Sequence, residues 1–152
     1  MYIMKEIFTM HVRDVEMLAH KVIHILSGIE SSKAKVVLLD GDLGTGKTTF
    51  TKELASVMGI DKEQVNSPTF ILKKEYQANH AFFRKLIHID AYRFTVPSEA
   101  KALKLEDDLE HDSTVIAIEW PSKMKYIRAD VHLLFTVIDD ETREVKIMYE
   151  EY

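Results

Sequence analysis

The sequence predicts an α/β fold: a three-layer sandwich around a mixed sheet, parallel at its centre, with antiparallel hairpins at its edges. Three observations predict it. The apolar run Val36 to Leu39 leads into Gly41-x-x-x-x-Gly46-Lys47-Thr48, and Phe50, Leu54, Val57 and Met58 then share one helical face. Strand and helix alternate through the first third of the chain, an order that builds layered α/β structures. Two pairs of later segments, each joined by a short polar turn, read as hairpins. Strand, glycine-rich turn and helix together make a P-loop, so the fold is P-loop NTPase-like. With 152 residues, the chain is expected to form a single domain over 1–152.

In chain order, Lys5 to Met10 reads as a short strand. A helix is expected from about His11 to Ser27, with Val12, Val15, Leu18, Val22, Ile25 and Leu26 on one face. Thr9 is its candidate N-cap and Gly28 its terminator. Glu30 to Lys35 is a polar loop into the P-loop strand, and the P-loop helix should end near Gly59. Asn66-Ser67-Pro68 marks a turn, because proline drives the residue before it out of helical geometry. Thr69 to Tyr76 and Arg84 to Asp90 are placed to form a hairpin around Gln77–His80. Pro97-Ser98-Glu99 opens a helix, with Ser98 as cap and Leu103, Leu105 and Leu109 as apolar contacts. Glu106-Asp107-Asp108 within it reads as a solvated face, with a partner contact as the alternative. Thr114 to Ile118 has the composition of a buried strand, and Val131 to Ile138 with Arg143 to Tyr149 forms a terminal hairpin.

Composition narrows the function. Hydrophobic residues make up 46% and charged residues 30%, the balance of a soluble globular protein. The absence of cysteine excludes disulfides, thiolate metal sites and cysteine nucleophiles. The start of the chain lacks the basic and long apolar regions of a signal peptide, and no apolar run reaches membrane-spanning length, so the cytoplasm is expected. A net charge of −5 argues against autonomous nucleic-acid binding, which calls for a basic face; any role near nucleic acid is expected to run through a partner.

The P-loop carries the chemistry. Its glycines bring backbone N–H groups close to phosphate oxygens, and the following helix points its positive end at them. Lys47 supplies a full charge for the β- and γ-phosphates, and the Thr48 hydroxyl is the expected Mg²⁺ ligand. Hydrolysis also needs a carboxylate near the metal. Asp90, closing Leu86-Ile87-His88-Ile89-Asp90, and Glu119, closing Val115-Ile116-Ala117-Ile118-Glu119, are the two candidates: each ends an apolar strand, where a Mg²⁺ ion would sit. His88 shares a strand face with Asp90 by period two, which suits a hydrogen-bonding histidine better than a metal pair. Trp120, the lone tryptophan, reads equally as core packing or as a nucleotide sensor or interaction surface.

Four motifs now stand in one order: Gly41-Asp42-Leu43-Gly44-Thr45-Gly46-Lys47-Thr48-Thr49, Ser67-Pro68-Thr69-Phe70, His88-Ile89-Asp90-Ala91-Tyr92-Arg93 and Ile118-Glu119-Trp120-Pro121. Over nearly its whole length the chain resembles the TsaE (YjeE) family, small bacterial P-loop ATPases of tRNA threonylcarbamoyladenosine synthesis. The resemblance implies that the loop from Asp42 to Thr49 binds ATP, that Thr48 and Glu119 hold Mg²⁺, and that Asp90 is a functional carboxylate beside it. It implies that Ser67 and Thr69 belong to a switch-like loop near the γ-phosphate, that Trp120 lies in a second one, and that Arg143 sits near the base. The implied partner is the TsaD–TsaB complex, which modifies adenosine 37 of tRNA and stimulates the ATPase. The chain departs from the family pattern at Thr45, where alanine is usual, at Ser122, where an acidic residue or Gln is frequent, and at Lys104, which replaces a common glycine. A small-molecule kinase is the alternative enzyme, disfavoured because Arg13, Arg84, Arg93, Arg128 and Arg143 are scattered and form no lid. A nucleotide-gated binding module with little hydrolysis is the third reading.

Overall fold

Three strands are apolar and buried on both faces, which is what the centre of a helix-covered parallel sheet demands. They are β2 (Lys35–Asp40), β4 (Lys85–Asp90) and β5 (Thr114–Glu119). The structure, a computed structural model, describes residues 4–66, 73–124 and 127–150. The remaining strands are β1 (Met4–His11), β3 (Lys73–Gln77), β6 (Val131–Val137) and β7 (Thr142–Tyr149), and the helices are α1 (Val15–Ser27), α2 (Lys47–Val57) and α3 (Leu105–Leu109).

Among the described residues, seven strands lie in one sheet, in the order β1-β7-β6-β2-β5-β4-β3. Pairings β6–β2, β2–β5 and β5–β4 are parallel; β1–β7, β6–β7 and β3–β4 are antiparallel. The parallel centre and the pairing of both hairpins are therefore as expected; of the strand expected from Thr69 to Tyr76, residues 69–72 lie outside the described residues. Strand β1, expected from Lys5 to Met10, extends one residue further at each end and runs along β7 for its whole length, setting Met10 opposite Arg143.

Helices α1 and α2 pack on one sheet face, where Leu18, Val22, Phe50 and Leu54 meet Val37, Leu39, Leu133 and Val145. The Phe50 ring stands edge-on to Phe135, 6.0 Å between centroids, and fixes α2 over β6. On the other face, Phe94, Leu103, Leu105 and Met124 cover Val36, Leu38, Ile87, Ile89, Ile116 and Ile118. Among the described residues this second apolar cluster takes none from β1, β6 or β7, so the cover they form on this face spans only part of the sheet.

Three local expectations are corrected. Thr9 caps no helix: it lies in β1 opposite Glu144, because the β1–β7 ladder extends to His11. A 3₁₀ turn, Val12–Asp14, then precedes α1, and His11 accepts from the Arg13 N–H at its start. Gly28 ends α1 as expected, with a right-handed φ of −83°. Ser98 is not a cap, since Pro97 already opens a 3₁₀ segment, Pro97–Leu103, that stops at Lys104 with a left-handed φ of 52°. Finally, the acidic cluster is not all solvated. Glu106 and Asp107 are exposed, but Asp108 is buried, 2.7 Å from Lys73 Nζ and 3.6 Å from Lys85 Nζ. These two lysines, on β3 and β4, fasten α3 to the sheet edge.

Candidate functional site

β2 ends at Asp40, and the chain turns sharply into α2. Gly46, the N-cap, has φ of 108°, and nothing lies within 4 Å of where its Cβ would be. A left-handed backbone facing open space is a position for glycine alone. Helix α2 thus begins at the edge of a cavity of about 610 Å³, with its positive end and free N–H groups turned toward the cavity. A volume of this size suits a small organic ligand.

Lys47, the first helical residue, is only 5% exposed. Its ammonium donates to the carbonyl oxygens of Gly41 and, at 2.9 Å, of Asp42, and lies 4.2 Å from the centroid of the Trp120 ring. Burial pulls the Lys47 pKa below its ordinary value, opposed by the negative charges of Glu119, Asp90, Asp40 and Asp42. Thr45 is compatible with the loop, because its hydroxyl donates to the Asp42 carbonyl at 2.8 Å and closes the turn.

Strand register brings the two candidate carboxylates together. Leu39 on β2 pairs with Glu119 on β5, and Glu119 pairs with Asp90 on β4, so both acids end adjacent strands at one level. Glu119 is 3% exposed. It accepts from the Thr48 hydroxyl at 3.1 and 3.2 Å, and its Oε2 lies 2.6 Å from His88 Nε2. Asp90 accepts from the Tyr92 N–H at 3.0 Å. Trp120 follows Glu119 with a left-handed φ of 58° and leans on Tyr92, with 5.1 Å between ring centroids.

The cavity brings Leu43 to Thr49, Asp90, Glu119, Trp120 and Arg143 to one wall or another. Asp42 does not line it; this residue contributes through its carbonyl to Lys47 and Thr45. Arg143 donates from Nε to the Thr45 carbonyl at 3.3 Å, which ties β7 to the loop. Ser67 and Thr69 lie outside the described residues. The far wall, formed by Met10, Val12, Val15 and Asp140, was absent from the sequence reading. Nothing in their spacing announces it; the β1–β7 pairing carries them to Arg143.

The donor set at the cavity fits magnesium. A hydroxyl and a carboxylate are hard oxygen ligands, and Asp90 adds a neighbouring acid. Among the described residues no three histidine, cysteine or acidic side chains form a cage for a metal. A sparse set is what Mg²⁺ uses when phosphate oxygens and water complete its shell.

A family model described as threonylcarbamoyl adenosine biosynthesis protein TsaE matches residues 10–147. The chain is 34% identical over 152 residues to the tRNA threonylcarbamoyladenosine biosynthesis protein TsaE of Aquifex aeolicus, covering 97% of this chain and 98% of that one. It is 36% identical over 127 residues to the corresponding Nostoc protein, covering 81% and 75% of the two chains. In fold it is similar to a crystal structure of Bacillus subtilis YdiB, with a TM-score of 0.64 at 24% identity, over 97% of this chain and 87% of that one.

Proposed function

The chain belongs to the TsaE family of tRNA threonylcarbamoyladenosine biosynthesis proteins, and from that premise we propose that it is a single-domain, Mg²⁺-dependent ATPase serving the TsaD–TsaB complex. The observation that carries the reading is the contact of Thr48 with the buried Glu119 at the head of α2, beside the buried Lys47. P-loop hydrolases use a hydroxyl, a carboxylate and an ammonium in these three places.

In this reading the triphosphate lies along the loop from Leu43 to Thr49, where the N–H groups of the loop and of the first turn of α2 bind its oxygens. Thr48 and Glu119 would hold Mg²⁺, which when bound would supply positive charge against the phosphates. Lys47 stabilises the charge that develops as the terminal phosphoryl group leaves. Asp90, level with Glu119, is the second functional carboxylate. Arg143 and the apolar Met10, Val12 and Val15 offer a slot for the base.

The surroundings of Lys47 support slow turnover by the protein alone. The Lys47 ammonium is already engaged by two loop carbonyls and the Trp120 ring, so a phosphate has to displace these contacts. TsaD–TsaB then accelerates the cycle, and tRNA is met only through that complex, in keeping with the net charge of −5. The cytoplasm is the proposed location. Among the described residues no helix is long and apolar enough to cross a membrane.

The test is ATP turnover by the purified protein with Mg²⁺, alone and with TsaD–TsaB and tRNA. Low turnover that rises on adding the complex is expected. A rate indifferent to the complex would sink the partnership, and absence of nucleotide binding would sink the whole reading.

A further inference from the structure

His88 poses a problem of its own. It lies mid-strand in β4, fully buried, on the sheet face that carries Leu86 and Asp90. An apolar residue of the same volume would pack there without burying polar atoms. The imidazole Nε2 lies 2.6 Å from Glu119 Oε2, and among the described residues Nδ1 has no hydrogen-bond partner.

That asymmetry fixes the neutral tautomer. With the proton on Nε2, the ring donates into the carboxylate and leaves only a lone pair unpaired at Nδ1. With the proton on Nδ1, a buried donor would go unpaired and the Nε2 lone pair would face a carboxylate lone pair. Glu119 is itself buried, and the only side-chain donors it is given among the described residues are His88 and Thr48. The two donors differ in where they come from. Thr48 belongs to α2 and to the phosphate loop, whereas His88 rises from the strand beside β5.

We propose that His88 is a positioning residue: its Nε2–H holds the Glu119 carboxylate in the orientation that receives Mg²⁺, independently of Thr48. Without it, Glu119 has one donor left, a hydroxyl that must turn its own lone pair to the metal. The carboxylate is then free to rotate about its side-chain torsions, and the metal site loses pre-organisation. This inference rests on the proposed function, because it concerns the metal that accompanies the nucleotide.

The test compares His88→Gln, whose amide nitrogen reaches the place of Nε2 and can donate, with His88→Leu, which fills the volume and cannot. ADP affinity is measured with and without Mg²⁺, using the fluorescence of Trp120 at the site, and thermal unfolding is followed in parallel. Both variants should bind ADP without Mg²⁺ within about two-fold of wild type. The tightening that Mg²⁺ confers should survive in His88→Gln and fall by roughly ten-fold or more in His88→Leu, the range seen when a partner of a metal ligand is removed. Full Mg²⁺ tightening in His88→Leu would overturn the proposal, as would its loss in a folded His88→Gln. If His88→Leu fails to fold, His88→Gln and His88→Asn, which leaves the Nε2 place empty, make the same comparison. Wild-type protein that binds ADP with no response to Mg²⁺ would instead overturn the proposed function, and this inference with it.

Discussion

Replacing Thr48 with valine isolates the contact on which the site is built, since a hydroxyl gives way to a methyl of the same shape. What is lost is the donation from Oγ1 to Glu119, at 3.1 and 3.2 Å, into a carboxylate only 3% exposed. Hydrogen bonds to charged groups contribute about 1.5–3 kcal/mol. The remaining donor, His88, keeps the cost near the lower end, so the nucleotide-free protein should lose about 1.5–2 kcal/mol. For a chain of this size that corresponds to a melting temperature roughly 3–8 °C lower. The assay is urea and thermal unfolding in EDTA, repeated with Thr48→Ser, which restores the hydroxyl and should recover most of the loss. In a Glu119→Gln background the same Thr48→Val change should cost less than about 1 kcal/mol, because the acceptor is neutral. Unchanged stability in Thr48→Val, or a Thr48→Ser protein as weak as the valine variant, would refute the reasoning. Thr48→Val should also lose the Mg²⁺ dependence of ADP binding.

Other positions give independent checks. At Gly59, φ is 78° and an added Cβ would lie 2.4 Å from the Asn79 carbonyl oxygen, so Gly59→Ala should cost about 2–4 kcal/mol in urea unfolding; a loss under 1 kcal/mol would show that the loop yields freely. Lys104 sits at φ of 52° where glycine is at ease, so Lys104→Gly should gain roughly 0.5–1 kcal/mol despite the added freedom of the unfolded chain, as read by the urea midpoint. Burial lowers the Lys47 pKa in the folded protein below the 10.5 of the free side chain. As pH rises from that lowered value to 10.5, the unfolded state holds the extra proton, so nucleotide-free stability should rise in that window relative to Lys47→Met. Nucleotide affinity should fall over the same window as the ammonium is lost, and a wild-type curve parallel to that of Lys47→Met would contradict the assignment.

Much of this was legible in the residues themselves. The P-loop announces strand, turn and helix at once because each glycine and the lysine answer a local need. Asp90 and Glu119 were legible as carboxylates closing apolar strands, since period and burial are written in β4 and β5. Their shared level was not, because register between strands distant in sequence depends on the order in which the sheet assembles. Thr9 and Ser98 misled for a related reason. Each has the chemistry of a cap, but the β1–β7 ladder and Pro97 reached the backbone first. Asp108 resembled its exposed neighbours Glu106 and Asp107, and only the approach of Lys73 and Lys85 from the sheet edge distinguishes it. The wall of Met10, Val12 and Val15 carries no motif, since apolar residues lining a cavity need no fixed spacing.

The place of β5 between β2 and β4 has a consequence for how the molecule comes into being. Synthesis delivers β2, the glycine-rich loop and β4 well before residues 114–119, leaving an empty slot whose two rims are bare backbone. A nascent chain halted at about residue 110 would therefore be no weaker version of the finished protein. It would be a sticky intermediate, offering unsatisfied strand rims to any neighbour. Expressed alone, residues 1–110 should collect as insoluble material, and a soluble, nucleotide-binding fragment of that length would show that the slot tolerates vacancy.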